Sequence, residues 1–330
     1  MPKVDFVKLF KGLSQLKAGI IGDVMLDTYW WGDVERISPE APVPIVALKK
    51  KEYRLGGAAN VALNVKSMGA SASILSIIGS DDDGNVLENL FKSQGIDTDY
   101  LIRSKKRITT SKSRIISRNQ QMLRLDAEMT KDLESADEES LISAVGKFLE
   151  KEKPQVMIFE DYNKGVLTPN VINRVIKLCN ERNIPTAVDP KRKNFFAFHN
   201  ASIFKPNLKE VKEAFNLIED KIDQPVLENI HRKLKAELSH SISLITLSER
   251  GIFYQDGDGS EIIPAHVRNI SDVSGAGDTV IAVASLVYAA TRDTALMAEV
   301  ANLAGGIVCE EVGTAAIDKG KLLDECENLL

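Results

Sequence analysis

The sequence predicts an α/β fold built on a largely parallel sheet, with a small β-sheet lid against it. Three observations carry this. From Ser135 onward, short apolar runs alternate with amphipathic helical patterns, as strand–helix–strand units do. The runs end in polar or charged residues, so one edge of the sheet collects functional groups. Two stretches, about 28–55 and 100–126, break the alternation and read as excursions forming one lid within a single domain, 1–330.

Bulk properties narrow the function. A chain of 330 residues with 44% hydrophobic and 27% charged residues has ordinary globular composition. A net charge of −5 gives no case for nucleic acid or an anionic membrane, so an anionic substrate needs a local site. No apolar run approaches the ~18 residues of a membrane span. Residues 1–11 mix charges with apolar side chains and lack a signal-peptide core. Cys179, Cys309 and Cys326 are odd in number and far apart, which predicts reduced thiols and a cytoplasmic location. His199, His231, His240 and His266 lack metal-ligand spacing, so no zinc site is expected.

Lys17–Asp27 starts apolar and ends in acids, predicting a buried parallel strand that offers Asp23 and Asp27 to a ligand or to a turn. Thr28–Arg54 is rich in proline and aromatics, and Val43, Ile45 and Ala47 alternate as in a short strand. Trp30 and Trp31 stand side by side there. Two large rings on such an excursion need cover from a ligand site, a second subunit or the main core. Gly56-Gly57-Ala58-Ala59-Asn60 opens a helix to Met68, and Asn60 in its first turn can present its amide to a ligand. Ser73–Ile78 predicts a strand, and Asn85–Ser93 a helix. Tyr100–Ser104, Thr109–Ser117 and Gln121–Asp126 alternate enough for a small antiparallel sheet with the Val43 strand. Arg114, Arg118 and Arg124 ride on it, serving an anionic substrate or the surface.

Ser135 and Glu138 have capping-box spacing ahead of the stripe Leu141, Ile142, Val145, Phe148 and Leu149. Val156–Phe159 is a strand running into Glu160-Asp161-Tyr162-Asn163-Lys164-Gly165. Thr168-Pro169 starts a helix with proline in its first turn. Strands Thr186–Val188 and Ser202–Phe204 end in Asp189-Pro190-Lys191 and Lys205-Pro206-Asn207. Helices Leu208–Phe215 and Val226–Leu238 precede the strand Ser243–Leu247, and a hairpin turns at Asp256-Gly257-Asp258-Gly259. Helices Ala295–Glu310 and Lys321–Leu329 flank a turn at Val312-Gly313-Thr314-Ala315. The strand ends line up Asp161, Lys164, Asp189, Lys191, Asn207, Glu210 and Thr246 along one edge. A helix cap explains one such residue; this many require a site.

Asp272-Val273-Ser274-Gly275-Ala276-Gly277-Asp278-Thr279 leads into the apolar run Val280–Val287. Gly275, Ala276 and Gly277 therefore sit at a helix N-terminus, where free N–H groups and the peptide dipoles favour phosphate. Asp278, an acid in an anion site, either caps the helix or takes a proton from a hydroxyl attacking phosphorus.

Gly56-Gly57-Ala58-Ala59-Asn60-Val61-Ala62, followed by Gly69 and Gly79, resembles the N-terminal signature of the ribokinase-like (PfkB) carbohydrate kinases. Asp272–Asp278 resembles their C-terminal signature, and Asn207-Leu208-Lys209-Glu210 their Asn-x-x-Glu motif. Four further stretches are similar to the branch acting on D-glycero-β-D-manno-heptose 7-phosphate: Arg36–Pro44, Ser117–Asp126, Asp161–Leu167 and Asp189–Lys191. The resemblance covers nearly the whole chain. It implies a three-layer α/β/α fold and ATP-dependent phosphorylation of the anomeric hydroxyl, giving the 1,7-bisphosphate used for lipopolysaccharide heptose. In many bacteria that kinase is fused to a nucleotidyltransferase with a His-x-Gly-His motif. This chain lacks the motif, which implies the kinase portion alone.

By motif position, the resemblance implies Asp278 as the base and the Gly275, Ala276 and Gly277 amides as the anion hole. Asp27, Gly56, Gly57, Asn60 and Asp161 would face the sugar. Asn207 and Glu210 would order Mg²⁺ through water, with Thr246, Ser248 and Asn302 near ATP. Asp272 and Ser274, with the backbone of the 309–313 turn, match a monovalent-cation (K⁺) site of some members. Ser274 stands where threonine is more usual, and Ser248-Glu249-Arg250 replaces a more glycine-rich loop. Lys191, Arg118 or Arg124 would meet the 7-phosphate, since guanidinium pairs with phosphate in bidentate fashion. A homodimer through the lid is expected. The alternatives are a kinase of this family for another sugar, sugar phosphate or nucleoside, and a non-catalytic sugar or nucleotide sensor.

Overall fold

The computed structural model describes residues 4–118, 120–218 and 221–330, so Asn119 of the 117–126 motif lies outside the described residues. Its strands are β1 (Lys17–Gly22), β2 (Val24–Ile37), β3 (Pro44–Gly57), β4 (Ser71–Gly79), β5 (Leu101–Ser104), β6 (Ser111–Ser117) and β7 (Gln120–Ala127), then β8 (Val156–Glu160), β9 (Thr186–Asp189), β10 (Ile203–Phe204), β11 (Ile242–Thr246), β12 (Ile252–Gln255) and β13 (Ser260–Ile263). Its helices are α1 (Phe6–Leu13), α2 (Ala58–Ser67), α3 (Asp82–Ser93), α4 (Ser135–Glu152), α5 (Pro169–Asn180), α6 (Leu208–Phe215), α7 (Gln224–Leu238), α8 (Ala276–Thr291), α9 (Thr294–Val308) and α10 (Lys319–Leu329).

The main sheet runs β13-β12-β11-β10-β9-β8-β1-β4-β5. It is parallel from β11 to β5, and β12 and β13 add an antiparallel edge. Strands buried on both faces need apolar residues of both parities. In β8, Ile158 faces the core of α2, α8 and α9, while Met157 and Phe159 face the core of α4, α5 and α7. Parallel pairing also sends the C-terminal ends of β8 to β11 to one edge, which is why their polar followers converge.

The smaller sheet has the order β3-β2-β6-β7. Here the structure corrects the sequence reading three times. The Lys17–Asp27 strand breaks after Gly22, and Val24 already belongs to the smaller sheet, so Asp27 lies on that sheet. The break is pinned at Asp23, whose buried carboxylate accepts from the Tyr162, Lys164 and Val166 amides. Residues 101–104 pair with β4 and extend the main sheet instead of the small one. The small sheet is also not wholly antiparallel: β2 pairs with β6 in parallel, because the chain crosses the main sheet between them. The capping box at Ser135 does not form either. Glu134 is the cap residue, and Glu138 turns to Thr168 and to Asn170 at 2.8 Å, tying α4 to α5.

Candidate active site

The start of α8 meets the C-terminal edge of β8 and β9. Gly275, its cap residue, has φ 82°, a left-handed conformation costly for other residues. A β-carbon there would also lie 2.7 Å from Asn60 Nδ2. Glycine lets the loop close onto α2. Asp278, one turn in, is 2% exposed. Its Oδ2 accepts from Asn60 Nδ2 and its Oδ1 from the Tyr162 hydroxyl, both at 2.8 Å. Burial raises its pKa to about 6, while the two donors restrain the rise. The carboxylate is thus charged at neutral pH, held at both oxygens, and basic enough to take a proton. The Ala276 amide makes a 3.3 Å turn bond to the Val273 carbonyl, with which a phosphoryl oxygen would compete.

Beneath the α8 start lies a row of ionisable groups. Asp189 pairs with the buried Lys205 at 2.7 Å, and Lys191 reaches Asp189 at 3.3 Å and Glu210 at 2.7 Å. Asp189 and Lys205 stand beside Gly277, the position a β-carbon would hold lying 3.6 Å from an atom of each. Burial opposes charge on Asp189, but Lys191 and Lys205 outweigh it and keep its pKa below the usual range. Burial likewise works against the Lys191 ammonium, and Asp189 and Glu210 more than restore it. Glu160, fully buried, has no hydrogen-bond partner for either carboxylate oxygen among the described residues. Burial, then the charges of Asp189 and Asp278, push its pKa well above the usual carboxylate range. Asp161, raised to about 7 by burial and by Asp23, accepts from the Asn163 amide and Asn194 Nδ2. It organises the 161–167 loop.

The smaller sheet approaches this cluster through the Tyr162 ring. Asp27, 4% exposed, pairs with Arg114 at 2.7 Å and lies against Gly56, where a β-carbon would sit 2.6 Å from its Oδ2. Gly57 caps α2 and leads to Asn60. Lys112, opposite Asp27 in register, stands 5.8 Å from the Tyr162 ring, and Lys191 stands 5.3 Å from the same ring. Burial lowers the Lys112 pKa and Asp27 partly offsets it. The other two expected phosphate contacts, Arg124 and Arg118, lie on β7 and at the β6–β7 turn, Arg124 being the register partner of Arg114. Arg124 is exposed and closes on Asp126 at 2.8 Å. Arg118 is exposed at the β6–β7 hairpin, six residues along from Lys112, or roughly 20 Å of strand.

On the remaining side, Asn207 and Glu210 form a reciprocal capping box on α6, and the Asn207 backbone bridges to Thr246. Glu210 spends Oε2 on the Asn207 amide and Oε1 on Lys191. Lys164 pairs with Glu128 at 2.8 Å. Ser248 is exposed with φ 57°, and Asn302 donates to the Pro264 carbonyl at 2.8 Å. Asp272 accepts from the Ser274 and Gly313 amides at 2.9 Å, tying two loops together. Among the described residues, no group of three or more His, Cys, Asp or Glu side chains could hold a metal ion.

Sequence reasoning gave Tyr162, Glu160, Lys205 and Lys112 no role around Asp278. Tyr162 and Glu160 stood inside a quoted polar strand end, and Lys205 stood beside Asn207; each carried the strand-end signal. Lys112 carried none, since only pairing with β2 places it opposite Asp27.

Residues 16–319 match the model of the pfkB family carbohydrate kinases. The chain is 36% identical over 327 residues to the Bifunctional protein HldE of Geobacter metallireducens, covering 98% of this chain and 65% of that protein. With that of Methylobacillus flagellatus it shares 39% over 311 residues, 94% of this chain and 63% of the relative. It thus spans somewhat under two thirds of these relatives. Phosphofructokinase-2 from Escherichia coli in complex with potassium has a TM-score of 0.76 at 16% identity, over 95% of this chain and 99% of that one. Arabidopsis thaliana ribokinase complexed with ribose and ATP has a TM-score of 0.72 at 14% identity, over 94% and 99%. The fold is ribokinase-like. The chain belongs to the pfkB family of carbohydrate kinases, which makes it an ATP-dependent sugar kinase.

Proposed function

We propose that this pfkB-family chain transfers the γ-phosphoryl group of ATP to the anomeric hydroxyl of a sugar phosphate, D-glycero-β-D-manno-heptose 7-phosphate. The observation that carries the kinase mechanism is Asp278: buried, held at both oxygens, at the positive end of α8. The acceptor hydroxyl gives its proton to Asp278 as its oxygen bonds to the γ-phosphorus, and the bond from that phosphorus to the ADP oxygen breaks. The transferring group is stabilised by the Gly275, Ala276 and Gly277 amides, and losing one such donor costs about 3–4 kcal/mol. Asp27, Gly56, Gly57 and Asn60 hold the sugar, and the smaller sheet closes over it as a lid that keeps water from ATP.

Mg²⁺ neutralises phosphate charge when bound. The residues fit a water-mediated role, because both Glu210 oxygens are already engaged and the ion commonly keeps several waters. Asn207 and Glu210 would hold it. Asp272 accepts from the Ser274 and Gly313 amides, and with Ser274 and the 309–313 backbone it would hold a monovalent cation. Thr246, Ser248 and Asn302 border the nucleotide. Exposed Val43, Leu48, Met122, Leu123 and Leu125 on the small sheet support a homodimer through it.

The heptose reading rests on the resembling motifs and on Lys112, a cation with no ion-pair partner among the described residues, placed beside Asp27. Lys112 and Lys191 then meet the 7-phosphate. A coupled assay of ATP consumption over heptose 7-phosphate, fructose 6-phosphate and ribose tests it. Heptose 7-phosphate should give the highest kcat/KM; equal turnover of the others removes the assignment but leaves the kinase. Lys112→Met should raise KM for the sugar phosphate at least about tenfold and leave that for ATP unchanged.

A further inference from the structure

Arg54, on β3, has no part in the mechanism above, yet it joins the small sheet to the phosphoryl-transfer loop. Its Nη1 donates to the Val312 carbonyl at 2.9 Å and the Thr314 carbonyl at 3.2 Å, more than 250 residues away in sequence. Its Nε donates to Glu52 at 2.7 Å, and its guanidinium plane lies 4.7 Å over the Tyr29 ring. Nε, Nη1 and the face of the cation are engaged with protein, so Arg54 acts as a fastening between the two segments.

What it fastens is specific. Gly313, between the two carbonyls, has φ 74°, and a β-carbon there would lie 2.8 Å from both Arg54 Nη1 and the Tyr29 hydroxyl. The Gly313 amide donates to Asp272 Oδ2, and Asp272 Oδ1 accepts from the Ser274 amide, next to Gly275 and the start of α8. A continuous bonded path thus runs from β3 through the 312–314 turn and Asp272 to the amides in front of Asp278. The other end of the path is the acceptor side. Arg54 is the register partner of Asp27, and Asp27 lies against Gly56 two residues further along β3.

We propose that Arg54 is a positioning residue that couples the small sheet to the anion hole. The sugar-holding rung Asp27–Arg54 fixes the 312–314 turn, and through Asp272 the turn sets the Gly275–Gly277 amides against the transferring phosphoryl group. This rests on the reading of those amides and Asp278 as the reaction centre. A misplacement of about 1 Å can cost ~10²-fold in rate. Loss of Arg54 should therefore appear in kcat, whereas loss of a sugar contact would appear in KM.

The experiment is steady-state kinetics of Arg54→Ala with ATP and the best acceptor, beside Asp278→Asn. Arg54→Ala should lower kcat about 10- to 100-fold with KM for ATP within about threefold. Added guanidinium chloride at tens of millimolar should restore part of kcat, which a misfolded variant would not show. Arg54→Ala combined with Asp272→Asn should be less than multiplicative, because both cut one path. An unchanged kcat, an effect confined to the acceptor KM, or fully multiplicative losses would overturn the coupling. If Asp278→Asn itself keeps turnover, the reaction centre has been misread; if it abolishes turnover while Arg54→Ala does not, only the coupling fails.

Discussion

The main sheet carries a buried polar cluster at each end of its strands, and the two behave oppositely. At the C-terminal edge, Asp278 lies among Asn60, Tyr162, Asp189 and Lys205. Near the N-terminal end of β11, the Ser243 hydroxyl sits between His231 Nδ1 at 2.9 Å and His240 Nε2 at 2.7 Å. As a parts list, serine with two histidines looks more catalytic than an aspartate with a tyrosine. Its surroundings say otherwise. Both rings are buried, and burial lowers their pKa values to about 4 and about 3, so they are neutral and knit α7 to the sheet. Asp278 is as deeply buried, yet two donors and a helix N-terminus keep it charged at neutral pH. The two clusters differ in what the fold does with charge: it stabilises that of Asp278 and keeps both histidines neutral.

The sharpest way to break this comparison is to neutralise the reactive member. Asp278→Asn should reduce kcat about 10²–10⁴-fold, the usual worth of a positioned base, without lowering the melting temperature. Turnover within tenfold of wild type would erase the distinction between the clusters.

Tyr162→Phe should have a smaller effect that reads the pKa directly. Asp278 must be ionised to act, so kcat/KM should fall below about pH 6. Removing a hydroxyl that favours the charged form raises that pKa and moves the acid limb to higher pH. An unmoved limb would mean that Tyr162 does not act on the base.

Ser243→Ala probes the other cluster. It leaves two buried ring nitrogens unpaired, which should cost about 1–3 kcal/mol of stability with kcat unchanged. A loss of turnover without a loss of stability would make that cluster functional after all.

The same cluster also sets a pH dependence of stability. Unfolded, each histidine binds its proton near pH ~6.5; folded, His231 and His240 do so only at about 4 and about 3. The unfolded chain therefore holds more protons between those limits. Their contribution to stability is full above the unfolded value and is lost as pH falls toward 4 and 3. Melting curves from pH 7 to 4 should show a shallower decline when both histidines are replaced.

Much of this molecule was legible in order along the chain. Apolar runs of both parities predict a parallel sheet covered on two sides, and Thr168-Pro169 and Asn207–Glu210 mark their helix starts by local hydrogen bonding alone. The Gly275–Asp278 turn announces a helix start with free amides because helix-terminal amides and a short glycine backbone are local properties. What the sequence could not decide was anything set by pairing. Whether Leu101–Ser104 extends the main sheet, that β2 meets β6 in parallel, and hence that Lys112 stands beside Asp27, depend on partners far away in the chain. The same holds for Tyr162 and Asn60, 116 and 218 residues from Asp278, whose hydrogen bonds set its charge. A residue's type and spacing determine which helix or strand it joins; its pKa, its partners and its access to a ligand are fixed only when distant segments pack.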